Sequence, residues 1–239
     1  MSLLTLVRHG QASFDADDYD RLSALGEQQA RLLGQYWANQ RMAFDEVYTG
    51  PRSRQQKSAE LVGMGLQQAG LVWPEPVILS DLDEYDLEGL LKRLAPRLVE
   101  LHPEFAQLMK DYQCSVGEQN RLRDFQRMFE SLLRHWQSAE LPDEDIESWA
   151  AFRNRVDRVI RRVQEQSGRG RRVVVFTSGG FIGGATQQAL KVSDSTALEL
   201  NWRIRNCSLT EFVYTRNRFS LDSFNTIPHL SDAALWTYR

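Results

Sequence analysis

Two rhythms of hydrophobic and polar positions alternate along this chain. Leu3-Leu4-Thr5-Leu6-Val7 is an apolar run with β-branched members, which predicts a short strand buried on both faces. It stops at Arg8-His9-Gly10, so a cation and an imidazole arrive where the strand gives way to a turn. A polar, acidic loop spans Gln11 to Asp20. Ser23 is then placed to cap a helix in which Ala30, Leu33 and Trp37 recur down one side. Phe44 to Thr49 predicts a second strand, broken by Gly50-Pro51, and Arg52-Ser53-Arg54 opens a helix carrying Ala59, Leu61 and Val62. Behind Pro74 and Pro76, Val77-Ile78-Leu79 predicts a third strand that runs into an acidic turn from Asp81 to Gly89.

From Leu90 to Gln166 the period becomes helical, with Leu, Phe, Trp and Met at three- and four-residue steps and a break at Leu141-Pro142. The stretch 90–141 is expected to be a helical insertion or lid within a single domain spanning 1–239. Val173-Val174-Val175-Phe176 predicts the most strongly marked strand. Thr177-Ser178-Gly179-Gly180 follows it, then a helix through Ile182, Ala185 and Leu190. Leu209 to Tyr214 and Phe219 to Phe224 flank a polar turn at Arg216-Asn217 and predict a β-hairpin.

Composition narrows the function classes. With 239 residues, 42% hydrophobic and 26% charged, the chain has enough apolar content for a packed α/β core. A net charge of −3 argues against nucleic acid as a partner. Lysine occurs only at Lys57, Lys92, Lys110 and Lys191, so the cationic charge is nearly all arginine, which suits forked contacts to oxyanions. Cys114 and Cys207 are distant and no secretory signal is legible, so reduced thiols and a cytoplasmic location are expected. No apolar run approaches membrane-spanning length, and a membrane is not expected as a partner. The stretch from Arg153 to Arg172 holds eight arginines and reads as a solvated helix face or an anion-binding surface. The oligomeric state is not legible.

In open α/β sheets, ligands bind at the C-terminal ends of the strands. Arg8 and His9, Arg54, the acidic turn at Glu84, and Ser178 with its glycines each follow a predicted strand, and a parallel sheet would bring them to one edge. The Gly-rich turn offers backbone N–H groups to phosphate, although glycines 179, 180, 183 and 184 miss the dinucleotide spacing. Two arginines beside an imidazole would hold a phosphoryl group in bidentate contacts and keep a ring nitrogen unprotonated for attack on phosphorus. A nearby carboxyl would hand its proton to the departing oxygen. This is phosphohistidine chemistry. Asp83, Asp86 and Glu88 compete with Glu84 for the acid role, Arg52 is expected to face solvent, and Ser178 reads equally as a helix N-cap. His102 and His135 read as structural and His229 as a packing residue. No His, Cys and carboxylate spacing suggests a metal site.

The order of these motifs resembles the histidine phosphatase superfamily, which includes the cofactor-dependent phosphoglycerate mutases. The match runs through Leu6-Val7-Arg8-His9-Gly10-Gln11, Leu22-Ser23 with Gly26 and Gln29-Ala30, and Val47 to Pro51 with Arg54. It continues through Leu82-Asp83-Glu84, Glu147-Ser148, Val173 to Gly180, Asn225 and His229-Leu230. The resemblance implies a three-layer α/β/α fold with a central mixed, mostly parallel sheet. By the same resemblance His9 is the phosphoryl acceptor, Arg8 and Arg54 are the phosphate clamps, and Glu84 is the proton donor. Ser178 and Gly179 are expected at the phosphate. The implied activity is a phosphatase needing no metal or cofactor, acting on a small-molecule phosphomonoester or a phosphoprotein.

The departures are specific. Ser178 stands where the family places a second histidine. Asp15 stands where mutase-like members often carry asparagine, and the loop between Gln11 and Leu22 lacks their Arg-containing segment, which disfavours a mutase. Losing a charged donor to the phosphoryl group costs about 1.5–3 kcal/mol, nearer 4 if the contact forms mainly in the transition state. That is roughly a ten- to thousandfold loss of rate, so the expectation is a slow phosphatase, with a non-catalytic phosphate-binding protein as the alternative.

Overall fold

The apolar runs become the strands of one six-stranded sheet in the computed structural model, which describes residues 1–13, 20–166 and 170–238. They are β1 (Ser2–Arg8), β2 (Glu46–Thr49), β3 (Val77–Ile78), β4 (Arg172–Thr177), β5 (Leu209–Thr215) and β6 (Arg218–Thr226). Their spatial order is β3-β2-β4-β1-β5-β6. The first four are parallel to one another, β5 runs antiparallel to β1, and β6 pairs antiparallel with β5. The sheet is therefore mixed and mostly parallel, as expected. Two strands are shorter than their apolar runs. Phe44 leaves the β2 line to pack on Trp37, with ring centroids 4.8 Å apart, and after β3 the chain tightens into a 3₁₀ turn at Ser80–Leu82.

Helix α1 (Ala24–Asn39) begins where Ser23 Oγ accepts the Gly26 N–H at 3.0 Å, the cap its sequence predicts. Helix α2 (Ser53–Gln68) follows β2. The helical segment comprises α3 (Leu87–Gly89), a wider turn at Leu90–Leu94, α4 (Ala95–Leu101), α5 (Pro103–Cys114), α6 (Glu118–Ser138) and α7 (Trp149–Glu165). After β4 come α8 (Gly179–Leu190) and α9 (Asp194–Asn201). The sequence reading assigned no element to the stretch that forms α9.

The chain divides into two units, Met1–Glu84 with Arg155–Arg239, and Tyr85–Asn154. In the first, Val7, Val47, Val174 and Phe176 bury against Ala30, Leu33, Trp37, Val62 and Leu66. Each such large side chain contributes on the order of 2 kcal/mol by leaving water. The alternate residues Val173 and Val175 are buried too, and on α8 Gly184 lies against Val156 of α7. Both faces of β4 are thus covered, which is why its run is continuous rather than alternating. The second unit has an aromatic core of its own, in which Tyr85 meets Trp136 (5.4 Å) and Phe152 (5.9 Å). Cys114 is exposed and Cys207 buried, both as free thiols. Among the described residues no helix is long and apolar enough to cross a membrane.

His229 is buried beside Tyr36, as expected of a packing residue, and neither ring nitrogen has a hydrogen-bond partner among the described residues. Burial pushes its pKa down from 6.5 to about 4. The native state therefore resists a proton that the unfolded chain accepts below about pH 6.5. Stability should be complete above that pH and decline as pH falls toward 4, by on the order of 3 kcal/mol from this ring alone. In His229→Phe the stability difference between pH 7.5 and pH 4.5, read by urea melts, should shrink by that amount. An unchanged difference would show that the ring does not titrate across this window.

Candidate active site

The parallel register decides which residues meet. Arg8 pairs with Thr177, and Phe176 pairs with Thr49, which in turn pairs with Ile78. The next residue of each strand continues the ladder: His9 N–H donates to the Thr177 carbonyl (2.9 Å), Gly50 N–H to Phe176 (3.0 Å), and Leu79 N–H to Thr49 (2.9 Å). His9, Gly50 and Ser178 thus emerge together at the C-terminal edge of the sheet. The turn after β1 is held tightly. Gly10 N–H donates to Ser58 Oγ (3.0 Å), and the Cys207 N–H and Asn206 Nδ2 both donate to the His9 carbonyl. A Cβ on Gly10 would collide with the Gly26 carbonyl, and one on Gly26 with the backbone of Gln11. This close approach explains why both positions are glycine.

His9 is buried, and its two nitrogens have opposite neighbours. Nδ1 lies 2.7 Å from the Gly10 carbonyl, while Arg54 Nε donates to Nε2 at 3.1 Å. A carbonyl only accepts and a guanidinium only donates, so Nδ1 carries the proton and Nε2 keeps its lone pair. Burial holds the His9 pKa well below its ordinary value, the Arg54 and Arg8 charges add to this, and the Gly10 carbonyl opposes it. The ring is therefore neutral near pH 7.

Arg54, in the first turn of α2, is the buried member of its pair, with a side chain 9% exposed against 40% for Arg52. Asp20 orients it, accepting from Arg54 Nη1 (2.7 Å) with one oxygen and from the Ser53 N–H (2.8 Å) with the other. Arg52 faces outward, as expected, yet is tied to Asp83 at 2.6 Å. Arg8 Nη1 donates to the Ile204 carbonyl, and Arg8 Nε stands 3.7 Å from where a Cβ on Gly179 would be.

The acidic turn resolves into distinct roles. Asp83 takes Arg52 and the Glu84 N–H, Asp86 caps α3 through the Gly89 N–H, and Glu88 pairs with Lys92. Glu84 Oε2 instead accepts the Gly180 N–H at 3.3 Å, at the start of α8. The turn is held by Arg155, which donates to the carbonyls of Asp81, Asp83 and Glu84 at 2.6–3.1 Å. Arg155 is the buried exception in the Arg-rich stretch: Arg158, Arg161 and Arg162 on the same helix are exposed, as a solvated face requires.

Ser178 occupies the N-cap position of α8, but its hydroxyl makes no cap. Its Oγ accepts from Gln55 Nε2 at 2.8 Å, and both side chains are fully buried. Gln55 Oε1 accepts the Arg52 N–H (3.1 Å), so the carboxamide bridges the start of α2 to the turn after β4. Gln55, Asp20, Ser58, Arg155 and Asn206 were not singled out from sequence. Ser58 lies four residues beyond Arg54 on a predicted helix, a spacing that could have flagged it, whereas Gln55 at the next position had no such signal. Asp15 lies outside the described residues.

Hydrogen bonds join His9 to Arg54, Gln55 to Ser178 and Gly180 to Glu84, linked by the sequence neighbours Arg54-Gln55 and Ser178-Gly179-Gly180, and Arg8 Nε lies on the side of Gly179 where a Cβ would be. Chemically the site offers an unprotonated ring nitrogen, two guanidinium groups, a helix N-terminus and a carboxyl group. Among proteins of known kind, the chain is similar over 96 residues to 2,3-bisphosphoglycerate-dependent phosphoglycerate mutases from Bradyrhizobium diazoefficiens (33% identical) and Azorhizobium caulinodans (32%). The matched segment is 38% of this chain and spans about half of those relatives, 46% and 47%. Solved structures with the same fold include a phosphoglycerate mutase from Bacillus anthracis, with TM-score 0.65, 21% identity, and 96% and 95% of the two chains covered. A phosphoserine phosphatase from Entamoeba histolytica gives TM-score 0.62 at 18% identity, covering 96% of this chain and 100% of that one. The sequence pattern of the histidine phosphatase superfamily (branch 1) matches residues 4–140 and 118–227, and to that superfamily this chain belongs.

Proposed function

We propose that this protein is a metal-independent phosphomonoesterase that works through phospho-His9. The observation that carries the reading is the lone pair on His9 Nε2, set by the obligate roles of Gly10 and Arg54. A phosphoryl group entering beside it draws Arg54 from the ring to its own oxygens, with Arg8 and the Gly179 amide as further donors. Nε2 then forms the N–P bond as the ester P–O bond breaks, and Glu84 gives its proton to the departing oxygen. Water attacks phosphorus in the second step and gives a proton back to the Glu84 carboxylate as the N–P bond breaks, and the ring nitrogen recovers its lone pair. Charge neutralisation and positioning supply most of the rate. The substrate class is a small-molecule phosphomonoester or a phosphorylated protein side chain.

Rapid quenching during turnover of an aryl phosphate labelled in its phosphoryl group should trap label on His9, and EDTA should leave the rate unchanged. Steady hydrolysis with no label on the protein would reject the covalent intermediate, and loss of activity in EDTA would reject independence from metal. The mutase reading requires interconversion of 2- and 3-phosphoglycerate, and it is disfavoured by the short loop between Gln11 and Leu22.

A second reading has one observation in its favour. Ser178 Oγ is already engaged by Gln55, which suits a protein that binds a phosphorylated ligand without turning it over.

A further inference from the structure

The helical unit Tyr85–Asn154 carries a cluster of a different kind. His102 lies in the turn between α4 and α5, His135 in the last turn of α6, and Glu140 just past Ala139, whose left-handed backbone (φ 53°) ends that helix. The α5 and α6 helices form a hairpin joined through residues 115–117, so His102 and His135 sit at its open end. There the imidazole rings approach to 4.5 Å between centroids. Glu140 meets both, with Oε1 3.3 Å from His102 Nε2 and Oε2 2.9 Å from His135 Nδ1.

One donor atom from each of the three residues lies within 4.8 Å of the others. Ligands around a tetrahedral ion with bonds of about 2.0–2.2 Å are about 3.3–3.5 Å apart, so closure by roughly an ångström completes a tripod. Two neutral imidazoles and one carboxylate supply a single negative charge and borderline donors, a set suited to Zn²⁺ rather than to Mg²⁺ or Ca²⁺. Both histidines also line a cleft of about 680 Å³, which gives an ion a way in. On its walls Glu104 and Glu130 offset Arg127 and Arg134, so the approach is not dominated by cations.

We propose that His102, His135 and Glu140 bind a Zn²⁺ ion, with water as the fourth ligand, tying together the open end of the α5–α6 hairpin. Sequence spacing gave no sign of this site, because the hairpin alone brings the ligands together. Each nitrogen binds through a lone pair, so any proton it carries is released on binding. The site is independent of the phosphoryl-transfer reading, and chelation is expected to loosen this hairpin without touching hydrolysis.

The test is calorimetric titration of the full chain, freed of metal, with zinc chloride, alongside thermal melts. One ion per chain and a rise in Tm are expected. Glu140→Gln keeps a side chain that hydrogen-bonds to imidazole but loses the charge, and it should weaken Zn²⁺ binding about tenfold or more. The double variant His102→Ala/His135→Ala should abolish binding with its helical circular dichroism retained, while Cys114→Ser should bind as the parent does. No zinc binding by the parent, or an affinity equal to the parent's in either Glu140→Gln or the double variant, would overturn the proposal and leave a hydrogen-bonded clasp.

Discussion

His9→Ala is expected to lower kcat/KM for a generic aryl phosphate by about four orders of magnitude or more, because in the proposed mechanism it removes the atom that bonds to phosphorus. That loss corresponds to about 5 kcal/mol of transition-state stabilisation. Phosphate binding should survive, since Arg8 and Arg54 remain. The substitution also strips Arg54 Nε and the Gly10 carbonyl of a shared partner in a buried place. Leaving such groups unmet costs about 1–3 kcal/mol, so the variant should melt earlier but still fold. Circular dichroism and phosphate titration on the same sample separate loss of chemistry from loss of fold. Parental turnover in a folded His9→Ala protein would end the phosphohistidine reading.

The next largest effect is a gain. If Ser178 weakens catalysis by withholding a cationic donor, restoring histidine should raise kcat by roughly ten- to a thousandfold. The single change has an obstacle that the sequence does not show: Gln55 Nε2 is already 2.8 Å from Ser178 Oγ, in a fully buried place. An imidazole needs that volume, and overpacking costs typically about 1–3 kcal/mol. The informative variant is therefore Ser178→His combined with Gln55→Ala, with Gln55→Ala alone as its control. A rise in kcat over the control would identify a weakened enzyme. Persistent inactivity with phosphate binding retained would favour the binding role.

Gln55 and Ser178 also show how local and long-range information differ. The Ser178 departure was legible, because it sits in a strand-to-glycine motif that fixes its place. Its partner was not, because Gln55 is 123 residues away and reaches Ser178 only after the register of β2 on β4 is set. Glu84 tells the same story. Four acidic residues in one turn are chemically alike on paper, and their separation into a cap, two ion pairs and a contact with α8 depends on how Arg52, Lys92 and Gly180 are presented. His102 and His135 read as structural and offered no metal spacing, since only the return of α6 along α5 brings His102 to His135 and Glu140.

The linear order of residues was enough to settle the strands, most of the helices flanking the sheet, and the place of His9, Arg8, Arg54 and Ser178 at strand or helix ends. Those features follow from hydrophobic period, turn chemistry and capping, which act over a few neighbouring residues. The tautomer of His9, the hold of Asp20 on Arg54, the contact with α8 that sets Glu84 apart from its neighbours and the Gln55 bridge were decided by tertiary structure. Each depends on a side chain contributed by a distant segment, and burial makes those contacts strong enough to set protonation and geometry.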